Sequence, residues 1–171
     1  FRKNNAIDND KKIIEIAIAD QLISLRGLSP KRLRFEIEYS LERGTTANSF
    51  LFTSDNNRDK RAFLIHPPGA FFQDVFIPVL KKYLPLKTSE LVVVVGHVNP
   101  NRISLLRNLA SIYSNIKFIT SNPGAKLLKE LWYQTKPIDP KNTAQKNENI
   151  PPMPKIQLIR REEEVWINDQ Y

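Results

Sequence analysis

Leu91-Val92-Val93-Val94-Val95 is the longest unbroken apolar run in the chain, and four of its five residues are β-branched. A run that short cannot span a bilayer. Its residues do not alternate with polar ones, so it reads as a strand buried on both faces, the signature of an interior strand in an α/β sheet. Its surroundings agree. Before it, Val75, Phe76, Val79, Leu80 and Tyr83 recur at helical spacing, with Lys81 and Lys82 turned outward. After it, Ile103 to Tyr113 is amphipathic, with Leu105, Leu106, Leu109 and Ile112 as the buried stripe and Arg102 and Arg107 outside it. Ala62–Ile65 and Ile116–Thr120 read as strands. Pro123 opens a further helix that runs to Trp132, with Ser121 or Asn122 as its cap. The order β-α-β-α-β from Ala62 to Thr120 predicts an α/β sheet.

The first third has a different period. Ile14, Ile16 and Ile18 alternate with polar residues, and a second strand is expected through Leu22–Leu25. Leu33, Phe35, Ile37 and Tyr39 alternate with Arg34, Glu36 and Glu38, which predicts one half-buried strand. Gly44 marks a turn, polar residues follow, and Asn48–Thr53 reads as the next strand. This region is expected to be a meander of short antiparallel strands. Residues 1–12 read as a polar tail. The main unit is expected over 13–135, and 136–155, rich in Pro and Asn, reads as a loop or insertion. A sheet restarts over 156–171, with Ile156, Leu158 and then Val165-Trp166-Ile167. It stops at Tyr171, which reads as a truncated second half.

Composition removes several functions. Cysteine is absent, which excludes disulfide scaffolds, thiolate metal sites and a Cys nucleophile. The net charge is +8, but the basic residues are dispersed and Lys31-Arg32-x-Arg34 is followed by Glu36 and Glu38. No aromatic motif for base stacking accompanies them, so no specific nucleic-acid binding is expected. No signal peptide or membrane span is expected either.

Polar groups at the carboxyl ends of sheet strands are the natural site candidates in such folds. The chain has two histidines, His66 and His97, and each directly follows a predicted strand. Adjacent strands would bring them together. Asn48 is a further candidate for lining that pocket.

Five segments carry a resemblance: Phe35-Glu36-Ile37-Glu38-Tyr39, Arg43-Gly44-Thr45-Thr46-Ala47-Asn48-Ser49, Pro67-Pro68-Gly69, Gly96-His97-Val98-Asn99-Pro100-Asn101-Arg102 and Ser121-Asn122-Pro123-Gly124-Ala125. In this order and spacing they resemble the N-terminal domain of cyanobacterial-type flavodiiron proteins, the diflavin flavoproteins. The resemblance implies a metallo-β-lactamase-like αββα sandwich, of which only the N-terminal portion is present. It also implies an oxidoreductase that passes electrons from NAD(P)H through FMN to oxygen, giving water. FMN and NAD(P)H would bind in domains beyond this chain, and a dimer would be the working unit.

The resemblance also exposes a departure. The family's ligand motif reads His-x-Glu-x-Asp-His, and its remaining ligands would lie past Tyr171. Here His97 keeps the first position, while Asn99, Asn101 and Arg102 replace the carboxylates and the last histidine. Two neutral amides and a permanent cation are poor company for two iron ions. The expectation is a pocket without the diiron centre and with no cofactor on this segment. Such a pocket is electropositive enough for a small anion. A single metal held weakly by His97 and His66 is the minor alternative. The segment alone should be inactive and should pair with a homologous subunit, in cytoplasm or plastid stroma. The rival of a different class is a non-catalytic interaction or regulatory module on the same fold. A metallo-hydrolase ranks last, because His-x-His-x-Asp-His is absent.

Overall fold

The computed structural model describes residues 10–32, 34–35, 39–40, 44–54, 61–84, 90–134, 150–160 and 163–164. Thirteen elements follow one another: β1 (Lys12–Ala19), β2 (Leu22–Ser29), β3 (Arg34–Phe35), β4 (Tyr39–Ser40), β5 (Thr45–Thr53), β6 (Arg61–Ile65), a 3-10 turn (Ala70–Phe72), α1 (Gln73–Tyr83), β7 (Glu90–Val94), α2 (Pro100–Ile112), β8 (Ile116–Thr120), α3 (Asn122–Trp132) and β9 (Lys155–Leu158). Seven strands form one sheet in the order β1-β2-β5-β6-β7-β8-β9. The first four of these pair antiparallel and the last four parallel. The change of period in the sequence is therefore a change of strand direction.

Register explains where the core lies. Ile23, Leu51, Leu64, Val93, Phe118 and Ile156 stand side by side across six strands. This row packs with Phe76 and Leu80 of α1, Leu105, Leu106 and Leu109 of α2, and Leu128 and Trp132 of α3. The helices thus cover one face. On the other face Phe63, Val92 and Ile119 form a smaller buried cluster with Phe52, Val94 and Ile159 against it. Leu91, Val92 and Val93 are fully buried, as the unbroken apolar run requires.

Four local expectations change. The single strand expected over Leu33–Tyr39 is two short strands, with Phe35 opposite Tyr39 and Arg34 opposite Ser40. Alternation fixes which side chains share a face but not whether the chain runs straight. Glu36 and Glu38 lie outside the described residues. The strand expected from Asn48 already begins at Thr45 as β5, because β2 pairs with it from Ser29↔Thr45 to Leu22↔Phe52. Arg102, expected outside the apolar stripe of α2, is buried. At the other end of the meander, β1 already begins at Lys12, and Lys11 Nζ donates to Phe71 O at 2.9 Å and pairs with Asp74 at 2.7 Å. The strand expected at Val165-Trp166-Ile167 and most of the 136–155 loop lie outside the described residues. The end of that loop is docked: Trp132 Nε1 donates to Pro151 O at 3.0 Å, and Ile150 and Met153 pack against the core.

β1 is tied to α1 by one carboxylate. Glu15 accepts from Lys82 Nζ at 2.8 Å and from Tyr83 Oη at 2.6 Å. The Lys82 hydrogen bond, and then the Tyr83 hydroxyl, hold the Glu15 carboxyl below its usual range, while that same carboxylate raises the Tyr83 phenol. A lowered carboxyl adds stability above its unfolded pKa and loses it as pH falls through the folded one. Glu15→Gln should therefore cost a little at pH 7, below about 1 kcal/mol for so exposed a pair. The difference from wild type should shrink as pH falls through the ordinary carboxylate range and vanish once it is below the lowered folded-state value. Urea midpoints of the two proteins across pH 3–7 check this.

Candidate functional site

The carboxyl ends of β6 and β7 lie next to each other because those strands pair in parallel, Ile65 beside Val94. His66 follows β6 directly, and Gly96-His97 follow β7 after Val95. His66 is exposed, but its backbone is held on both sides. His66 N donates to Val94 O at 3.0 Å, and Ser49 Oγ of β5 donates to His66 O at 2.8 Å. Its φ is +56°, the left-handed region that a non-glycine residue seldom adopts. Pro67 and Pro68 behind it are buried.

α2 begins beyond β7. Asn99 is its cap: Asn99 Oδ1 accepts from Arg102 N at 3.1 Å, and Pro100 occupies the first turn, where its missing N–H costs nothing. Asn101 is exposed and His97 is exposed. Arg102 is the buried member, 8% exposed. Its Nε donates to Pro67 O at 3.1 Å, its Nη1 to His97 O at 3.0 Å, and its Nη2 lies 3.1 Å from His66 Nε2. A guanidinium can only donate, so His66 Nε2 accepts and the ring proton sits on Nδ1. The Arg102 side chain thus joins the His66 ring to the backbone of His97, whose own ring is exposed, with Asn99 fixing the helix that carries it.

A cleft of about 90 Å³ opens beside this group, walled by Arg32, Ala47, Gly69, Phe71, Asn101 and Arg102 among others. The Arg32 guanidinium lies 4.1 Å from the Phe71 ring centroid and Lys11 Nζ lies 4.9 Å from it. The sequence shows Arg32 only within a dispersed basic stretch and does not mark Phe71 or Lys11, because their neighbourhood is made by contacts between distant segments. Asn48 stands opposite Arg26 of β2, on the other face of β5 from its neighbours Ala47 and Ser49. It is not a wall of the cleft.

These donors do not suit two irons. Asn99 Oδ1 is engaged in capping α2, Asn101 offers a neutral amide, and the Arg102 guanidinium bridges the two strand-end loops. Among the described residues no three His, Cys, Asp or Glu converge. Dinuclear iron needs anionic oxygen donors to offset its charge.

No protein-family model matches the chain. Diflavin flavoprotein A 6 of Nostoc sp. strain PCC 7120 is 46% identical over 101 residues, which is 59% of this chain and 17% of that protein. Diflavin flavoprotein A 3 of Synechocystis sp. strain PCC 6803 is 40% identical over 122 residues, 71% of this chain and 19% of that protein. The chain therefore spans about a fifth of the length of these curated relatives. Among solved structures, the metal-soaked Flv1 flavodiiron core from Synechocystis sp. PCC6803 superposes with a TM-score of 0.71 at 33% identity, covering 93% of this chain and 34% of that one. A fragment (residues 1–254) of diflavin flavoprotein A 5 from Nostoc sp. PCC 7120 gives 0.71 at 30% identity, covering 93% and 54%. A Thermotoga maritima flavoprotein at 19% identity shares the fold, with a TM-score of 0.69.

Proposed function

As a member of the diflavin flavoprotein family carrying part of its flavodiiron, metallo-β-lactamase-like core, this chain is, we propose, the first portion of an oxidoreductase subunit that does not itself hold the diiron centre. The whole protein would take part in passing electrons from NAD(P)H through FMN to oxygen, giving water. It would do so together with a homologous subunit whose ligand motif is intact. FMN and nicotinamide would bind in domains beyond these residues, in a cytoplasmic or stromal setting. No helix among the described residues is long and apolar enough to cross a membrane. The observation that carries the reading is the chemistry at the motif positions. Asn99 caps a helix, Asn101 is an exposed amide, and Arg102 is a buried cation bonded to Pro67 O, His97 O and His66.

The same chemistry supports a small anion as the pocket's occupant. Arg32 and Arg102 both border the cleft, and its volume suits an ion of a few atoms. Chloride is the probe to use. Addition of chloride at constant ionic strength should raise the thermal midpoint of the wild-type protein and not that of Arg32→Ala. Equal responses would remove the anion from the proposal.

The test of the main reading is metal analysis with oxygen uptake, on the full-length protein alone and mixed with an intact-motif homologue. The expected result is well under one iron per chain, negligible oxygen consumption alone, and consumption in the mixed preparation above that of the homologue by itself. Two irons per chain, or full activity alone, would overturn it.

A further inference from the structure

We propose that Arg102 is the positioning residue of this pocket, a side-chain clamp that holds the two strand-end loops in the way a bridging ion could. The inference rests on the reading of the motif positions given above. Its geometry is independent of any ligand. The loop after β6 is reached at Pro67 O and at His66 Nε2, and the loop after β7 at His97 O, by three nitrogens of one planar group at 3.0–3.1 Å. Arg102 itself is rooted in the first turn of α2, where its own N–H is held by Asn99 Oδ1. The sheet fixes β6 and β7 only as far as the His66 N to Val94 O bond. Beyond that bond the two loops are not paired with each other, while Val95 N still reaches Ile119 O of β8, and the guanidinium ties one loop to the other.

Two features mark this as a built arrangement rather than an incidental contact. His66 is held at φ +56° with its carbonyl bonded to Ser49, a conformation that aims the ring at Arg102 while its backbone is tied to β5 and β7. The planar, fork-shaped donor set of arginine can reach three acceptors lying in different directions, whereas an ammonium presents all its donors from one atom. The clamp also fixes the tautomer of His66, which must offer an unprotonated Nε2 to the guanidinium.

The experiment is hydrogen exchange by mass spectrometry on the full-length protein at pH 7.5, comparing wild type, Arg102→Met and Arg102→Lys. The protected amides flanking the two loops, His66 bonded to Val94 O and Phe72 bonded to Gly69 O on one side and residue 102 bonded to Asn99 O on the other, should exchange at least tenfold faster in Arg102→Met, while β1, β2 and β5 keep their wild-type rates. Arg102→Lys should recover little of the protection. Unchanged loop protection in the Met variant, or full recovery with Lys, would overturn the clamp. Should the Met variant not fold, the wild type alone decides. Imidazole ¹⁵N shifts should show His66 with Nδ1 protonated and Nε2 bare at pH 7.5, and a protonated Nε2 would overturn it. Iron content tests the functional reading and loop exchange at fixed iron content tests the clamp, so the two can fail separately.

Discussion

Trp132→Ala is expected to destabilise the fold by about 3–5 kcal/mol, the usual range for deleting a large buried aromatic. For a chain of this length that corresponds to a fall in Tm of roughly 6–20 °C. Trp132 ends α3 with no exposed surface, and its ring is tilted against Phe118 of β8 at 5.6 Å between centroids. It joins the same core as Leu105, Leu109 and Leu128. Its indole also donates to Pro151 O, so it anchors the segment that leads into β9. Arg107 reinforces that corner by donating to Trp132 O at 2.9 Å, Leu131 O at 3.1 Å and Gln134 O at 3.0 Å, a cation at the negative end of α3. Trp132→Phe separates the two roles. It keeps most of the apolar burial and loses the Pro151 bond, for about 1 kcal/mol. Thermal unfolding of the three proteins, with exchange rates over 150–158, checks both parts. Similar Tm values for the Ala and Phe variants would mean the ring's volume is not what matters.

Gly44→Ala is the second large effect, expected at about 2–4 kcal/mol, from a left-handed backbone penalty plus a clash. Gly44 has φ +82°, and a Cβ there would lie 2.6 Å from Pro30 Cα and closer still to Ser29 O. Both neighbours belong to backbone rather than to a flexible side chain, so the relief must come from moving the end of β2. That strand pairs with β5 from Ser29↔Thr45 to Leu22↔Phe52. β5 supplies Ser49 to His66 and Ala47 to the cleft. The substitution should therefore loosen the site as well as lower stability. Denaturant unfolding measures the first, and amide exchange at His66, bonded to Val94 O, the second. A wild-type midpoint in Gly44→Ala would show that the turn can adjust at no cost.

Much of the architecture could be read in the residues. The unbroken Leu91–Val95 run and the helical spacings on either side fixed the order β-α-β-α-β, and with it the idea that His66 and His97 stand at neighbouring strand ends. Less legible was the Leu33–Tyr39 segment, where alternation is the same for one strand and for two that pair with each other. The burial of Arg102 was hidden for a similar reason. On helical spacing it falls outside the stripe of Leu105, Leu106 and Leu109, and only the folded loops bring Pro67 O, His97 O and His66 Nε2 to it.

The sequence by itself determined most of the element order, the switch from antiparallel meander to α/β sheet, and which side chains arrive at the carboxyl edge, because periodicity and residue type are local properties of the chain. Only the tertiary structure decided what those side chains do there. Arg102 meets His66 across 36 positions, and Ser49 meets it across 17. Such pairings depend on β5, β6 and β7 becoming neighbours in that order. No local pattern encodes this, and it follows from burying the row from Ile23 to Ile156 beneath three helices.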